Sequence, residues 1–204
     1  MSKQKKIEVD LSTEEKIKEA ARKLFTQKGY AATRTRDIAE ESGINLALLN
    51  YYFRSKEKLF NLIMEEKMLQ LFGVLFPVIN DENSTLQQKL ELIVVNYIDL
   101  LSANPDLPIF VLSEIKNSEG GFLKQLPLRK MLGESVFVKQ FLEKRSDISP
   151  LHFIINLLGV VIFPFVASPV LQGTGVVNDQ IFNKMMEDRK KLIPAWIKQM
   201  VETV

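Results

Sequence analysis

The sequence predicts an all-α fold of about nine helices. Apolar residues recur at helical spacing along most of the chain, and Ser, Thr or Asn precede these segments while Gly or Pro follow them. No stretch between turn signals alternates apolar and polar residues with the period of two that a half-buried strand requires. No internal repeat and no low-complexity tract is present.

The first helix is written in LSTEEKIKEAARKLFTQKGY. Ser12 with Glu15 three residues on forms a capping-box pattern, and Ile17, Ala20, Ala21, Leu24 and Phe25 fall on one stripe. Gly29 is a stop signal. A second helix is expected from about Arg36 to Ser42, with Ile38 and Ala39 inward and Thr33 or Thr35 as its cap. Ser42-Gly43-Ile44 leaves room only for a tight turn. Asn45 is then placed to cap a third helix through Tyr52, and Ser55 a fourth from Lys56 toward Phe72. Ser84 with Gln87 repeats the capping-box pattern ahead of Leu86, Leu90, Ile93, Val94, Tyr97, Ile98 and Leu101. Asn104-Pro105-Asp106 breaks that helix, Pro108 suits the first turn of the next, and Glu119-Gly120-Gly121 is a further break. Helical patterns resume over Phe122–Arg145, Pro150–Leu171 and Asp179–Val201, kinked or ended by prolines 127, 164, 169 and 194.

Composition excludes several kinds of chemistry. The 204 residues suit one compact domain, or a small module joined to a larger one, and 46% hydrophobic with 25% charged residues is ordinary for a globular protein. With no cysteine there is no disulfide, no thiolate nucleophile and no Cys-based metal site; one histidine rules out a His-rich site. No catalytic set, metal site or cofactor loop is visible. MSKQKKIEVD lacks the apolar run of a secretory signal, so a cytoplasmic protein is expected. Net charge is +2, but residues 1–60 carry 13 Lys/Arg against 9 Asp/Glu while the rest carry 14 against 16. A basic N-terminal end on a near-neutral body fits nucleic-acid binding by that end alone. Lys3, Lys5 and Lys6 form either a basic arm toward DNA or a solvated terminus.

Two short helices around a central-glycine turn form a helix-turn-helix, whose second helix can lie in a major groove; a plain αα-hairpin has the same outline. The wider string separates the two. Gly29-Tyr30, Asp37-Ile38-Ala39, Gly43-Ile44 and Tyr52-Phe53 followed by Ser55-Lys56-Glu57-Lys58-Leu59-Phe60 resemble the TetR family of bacterial transcriptional regulators over about residues 13–60. The resemblance implies a helix-turn-helix DNA-binding domain over 1–55 and a helical effector-binding and dimerisation domain over 56–204, with the helix from Lys56 as connector. It implies phosphate contacts at Thr35, Tyr52 and Lys56, and a base contact within reach of Arg36. Recognition-helix positions Leu46, Ala47, Leu48, Asn50 and Tyr51 would face the groove to varying degrees. Arg34 and Asn45, at the two helix starts, complete the candidate DNA contacts. Asn45-Leu46-Ala47 departs from the Ser-Lys/Pro-Gly start of many relatives, and Asn50 stands where many have Tyr.

At 100° per residue from Ile44, residues 44, 45, 48, 49 and 52 cluster on one face and 46, 47, 50 and 51 on the other. The first group is expected to pack inward, the second to look out. Leu46 then reads as an isolated surface leucine or as a contact to a thymine methyl, with Asn50 on adenine N6/N7.

The body carries no signature of its own. Asn96, Tyr97, Glu114, His152 and Asn156, polar residues on apolar helices, are the candidate pocket residues; an ordinary surface or interhelical role is open for each. Their neighbours suggest an apolar or amphipathic effector. The 31 residues from Ile148 to Asn178 hold no Asp, Glu, Lys or Arg, which suits either a membrane span or a buried interface helix. Asn156, His152, Pro164 and Pro169 interrupt the run and favour the second. The expected partners are therefore a double-stranded DNA operator, a small effector, and a second copy joined through the 150–171 and 179–201 helices. The leading reading is a repressor released from its operator by the effector. The competing readings are a helical carrier whose N-terminal hairpin binds no DNA, and a DNA-binding protein of this fold without an effector.

Overall fold

A computed structural model describes residues 12–117 and 133–202. All regular structure among them is helical: α1 Thr13–Ala32, α2 Thr35–Ser42, α3 Leu46–Phe53, α4 Lys56–Gly73, α5 Phe76–Asn80, α6 Leu86–Ala103, α7 Leu107–Asn117, α8 Val136–Lys144, α9 Pro150–Val166, α10 Ser168–Gly173 and α11 Asp179–Glu202. The helices beyond the expected nine include the short α5 and α10, each with a proline in its first turn. Lys3, Lys5, Lys6, Pro127 and the Glu119-Gly120-Gly121 break lie outside the described residues. The chain forms two compact units, Met1–Glu66 and Lys67–Val204.

In the first unit the stripe of α1 is buried as its spacing predicts: Ile17, Ala20, Ala21, Leu24 and Phe25 join Ile38, Leu49, Phe53, Leu59 and Ile63 in one core. The Ser12 cap forms, its Oγ accepting from the Glu15 amide at 3.3 Å. The Glu15 carboxylate, however, turns to Arg22 at 2.7 Å, and Arg22 also reaches Glu66 of α4 at 2.8 Å. The guanidinium holds the Glu15 carboxyl below the usual carboxylate range. At Gly29 a φ of 73° breaks α1. Thr33 does not cap α2; its buried hydroxyl donates back to the Gly29 carbonyl at 2.8 Å. Thr35 is the first helical residue, and the Arg34 amide donates to the Asp37 carboxylate instead, at 3.3 Å.

In the second unit α6 runs through the centre, packed against α5, α8, α9 and α11. Every apolar position predicted for α6 is buried. Its capping box lies one residue later than the sequence suggests, with Thr85 and Gln88 exchanging bonds at 3.3 and 2.9 Å. Ser84 is taken by the buried Lys89, whose Nζ donates to its carbonyl at 2.5 Å and its hydroxyl at 2.9 Å. That demand for partners shifts the cap. Burial pushes the Lys89 pKa down from its ordinary value.

The uncharged segment is no membrane span: among the described residues no helix is long and apolar enough to cross a membrane. Phe153, Leu157, Val161 and Phe165 of α9 enter the core, while Leu151, Ile155 and Phe163 on the opposite side are exposed. Pro164 has no N–H to offer the Val160 carbonyl four residues back. Arg189 of α11 takes that role, donating to Val160 O at 2.6 Å while its guanidinium lies 5.5 Å from the Trp196 ring centre.

The register of the α6 cap is open to test. Thr85→Ala should lower stability by about 1 kcal/mol in urea unfolding, as loss of an N-cap does; no change would show that the Ser84 position carries the cap.

Candidate nucleic-acid interface and body cavity

The turn between α2 and α3 is a Schellman motif. Gly43, at φ 68°, donates to Glu40 O at 3.1 Å, and Ile44 donates to Ala39 O at 3.0 Å. A side chain at Gly43 would meet no neighbour, so backbone conformation alone demands glycine. Asn45 follows in extended conformation, φ −69° and ψ 151°, and its Oδ1 accepts from the Leu48 amide at 2.8 Å. Helical geometry begins at Leu46, as the Asn45 cap predicts, so Ile44, from which the two faces are counted, lies outside the helix. This corrects the two-face assignment. Leu49 and Phe53 are the buried residues of α3, Ile44 and Leu48 are half-buried, and Asn45 and Tyr52 are exposed. Leu46, expected outside, is half-buried. Ala47, Asn50 and Tyr51 are exposed as expected, and with Arg54 they form one outward edge at helical spacing; Tyr51 is 78% exposed.

Arg54 was not singled out by the sequence. It has φ 56° and ψ −36°, and the Ser55 amide closes a three-residue turn onto Phe53 O at 2.6 Å. This strained turn ends α3 and lets Ser55 cap α4, its Oγ accepting from the Lys58 amide at 3.1 Å. Only an arginine before Ser-Lys marks the place in sequence, and that says nothing about φ. Arg34 and Arg36 are also exposed, and Thr35 is half-buried.

Lys56 is placed differently from a free phosphate ligand. Its Nζ donates to Tyr30 O at 2.9 Å and Thr33 O at 3.0 Å, and sits 4.0 Å from the centre of the Tyr30 ring. Two of its three N–H donors thus close the end of α1, leaving one for a phosphate. Tyr30 in turn packs on Phe60 at 4.7 Å, and Phe60 meets Phe25 edge-on at 5.0 Å.

In the body, a cavity of about 200 Å³ is walled by Leu71, Ile93, Val111, Phe137, Leu157, Ile162 and their neighbours from α4 through α9. Of the pocket residues picked from sequence whose side chains are described, only Tyr97 lines it. Its hydroxyl donates to Leu71 O at 2.8 Å, and burial pushes its pKa up. His152 and Asn156 are exposed and Asn96 is half-buried, none of them in this wall. The side chain of Glu114 lies outside the described residues. The spacing of polar residues on α9 did not reveal that the cavity faces the other side of that helix. Among the described residues, no group of three His, Asp or Glu is placed to hold a metal.

The first unit therefore has the build of a helix-turn-helix DNA-binding domain, with an exposed second helix between flanking cations. Residues 17–63 match the family model for bacterial regulatory proteins of the tetR family. The chain is 24% identical over 207 residues to the "Probable HTH-type transcriptional regulator YttP" of Bacillus subtilis, covering 95% of this chain and 96% of that one. It is 27% identical over 118 residues to the fatty acid metabolism regulator protein of the same species, covering 58% and 57%. In structure it is similar to a TetR-like transcriptional regulator from Rhodococcus sp. RHA1, with a TM-score of 0.69 at 16% identity over 94% of this chain and 97% of that one. Residues 17–63 are thus a DNA-binding domain of the tetR family, and over nearly its whole length the chain is similar to a DNA-binding transcriptional regulator. The reading as a carrier without DNA binding is set aside.

Lys56→Met should destabilise the protein by about 2 kcal/mol in urea unfolding, since it leaves two carbonyls without their charged donor. Unchanged stability with weakened DNA binding would show a lysine that serves phosphate alone.

Proposed function

We propose that the protein is a homodimeric, cytoplasmic repressor released from its operator by an apolar or amphipathic small molecule. The observation that supports it best is the uncharged outward edge Ala47, Asn50 and Tyr51, set between the exposed Arg34, Arg36 and Arg54. Arginines and the hydroxyls of Thr35 and Tyr52 suit phosphate oxygens and fix register, while an amide and small apolar groups read base edges. Lys56 adds its remaining donor to the phosphates. Asn45 serves as the cap that orients α3, and Leu46, half-buried, supports the helix start while its free side reaches a thymine methyl. In this reading residues 1–55 bind DNA and 56–204 bind effector and partner, with α4 connecting them.

The second copy is drawn to α9 and α11. Leu151, Ile155 and Phe163 on the first, and Ile181, Met185, Leu192, Trp196 and Met200 on the second, are large apolar side chains left exposed. Two helices apolar beyond their core stripe are what an isologous interface covers. The effector's apolar character rests on the cavity wall, and the similarity to a fatty acid metabolism regulator agrees with it.

Asn50→Ala should weaken binding to an operator with adenine at the contacted position by about 1–3 kcal/mol relative to a base-swapped operator. Equal losses on both sequences in a footprint titration would remove direct reading by Asn50. Sedimentation velocity at micromolar concentration should show a dimer, and Trp196→Asp together with Ile155→Asp should shift it toward monomer; a wild-type monomer refutes the interface.

A further inference from the structure

Among the described side chains that wall the body cavity, polar atoms occur only on Tyr97 and Ser135. Both are engaged: the Tyr97 hydroxyl donates to Leu71 O at 2.8 Å, and Ser135 Oγ caps α8 by accepting from the Val138 amide at 3.3 Å. No Lys, Arg, His, Asp or Glu is among these lining residues. A carboxylate or ammonium taken inside would lose its hydration and find no opposite charge among the described lining residues. Apolar groups lose nothing there. An apolar cavity of roughly 150 Å³ stays dry and binds benzene, so a wall enclosing about 200 Å³ has room for one ring or a short chain.

We infer that the cavity, which rests on the effector reading for its role as a ligand site, recognises an uncharged hydrocarbon group. That group is one ring or an alkyl chain of about six to eight carbons, and the wall reads its size and shape alone. A polar headgroup, where the ligand has one, stays at the mouth beside Leu112, which lines the cavity yet is 56% exposed. The source of the chain is then immaterial to the site: a free hydrocarbon alcohol and the tail of a charged amphiphile bind alike.

Titration calorimetry of the full-length protein with butanol, hexanol, octanol, octanoate and octylammonium tests this. Affinity should rise about fourfold per added methylene until the cavity fills, with a negative heat-capacity change, and the three eight-carbon compounds should agree within tenfold. Octanoate or octylammonium binding more than tenfold tighter than octanol overturns the inference, because it demands a counter-charge; so does absence of binding by every alcohol. Leu158→Phe, which fills the wall, should lose at least tenfold in octanol affinity while its helical circular dichroism still melts cooperatively, and Val111→Ile is the milder variant should it not fold. Unchanged octanol affinity in a folded filled variant also overturns it. Octanol binding that leaves operator affinity unaltered upholds this ligand class and refutes instead the regulatory reading on which it was raised.

Discussion

The N-terminal unit depends on how the end of α1 is tied to the start of α4. Gly29 turns the chain out of the helix, and the Tyr30 ring then lies between Phe60 and the Lys56 ammonium. Phe60 stacks edge-on against Phe25 of the α1 core stripe, so one aromatic cluster joins the two helices. Lys56 adds two charged hydrogen bonds to the carbonyls at Tyr30 and Thr33, groups that a broken helix would otherwise leave without donors. The Arg22 bridge to Glu15 and Glu66 repeats the link farther along. Held on this frame, α2 and α3 need only a small buried face each. Leu49 and Phe53 are the buried residues of α3, and Ala47, Asn50 and Tyr51 stay exposed.

In the proposed reading, that division explains how a short helix without a charged residue can belong to a DNA-binding surface. Affinity for DNA comes mostly from phosphates, which do not have to be met by the reading helix itself. Arg34 and Arg36 at the start of α2 and Arg54 at the end of α3 are exposed. The strained turn at Arg54 ends α3 within eight residues and carries a cation at the same time.

Much of this was legible in the sequence because it is local. Helix stripes, the Gly43 turn and the Asn45 and Ser55 caps follow from residues within four positions of each other, and the structure shows each of them. The misreadings share a cause. Local spacing assigns Thr33, Ser84 and Glu15 to the nearest backbone amide, yet each is claimed by a partner from another turn or helix: the Gly29 carbonyl, Lys89 and Arg22. A count from Ile44 misplaces the inner face of α3, because an extended cap residue resets the helical phase at Leu46. In the body, polar residues on apolar helices look like pocket markers, but His152 and Asn156 face outward and the cavity wall is apolar.

What the sequence determined by itself was the order of helices, their buried stripes and the motif that marks the family, since periodicity and capping are short-range properties of the chain. Tertiary structure alone decided where Lys56 points, which edge of α3 is free, and which sides of α6 and α9 wall the cavity. Those depend on interhelical packing, in which side chains far apart in sequence compete for the same carbonyl or the same space. No local pattern encodes the outcome of that competition.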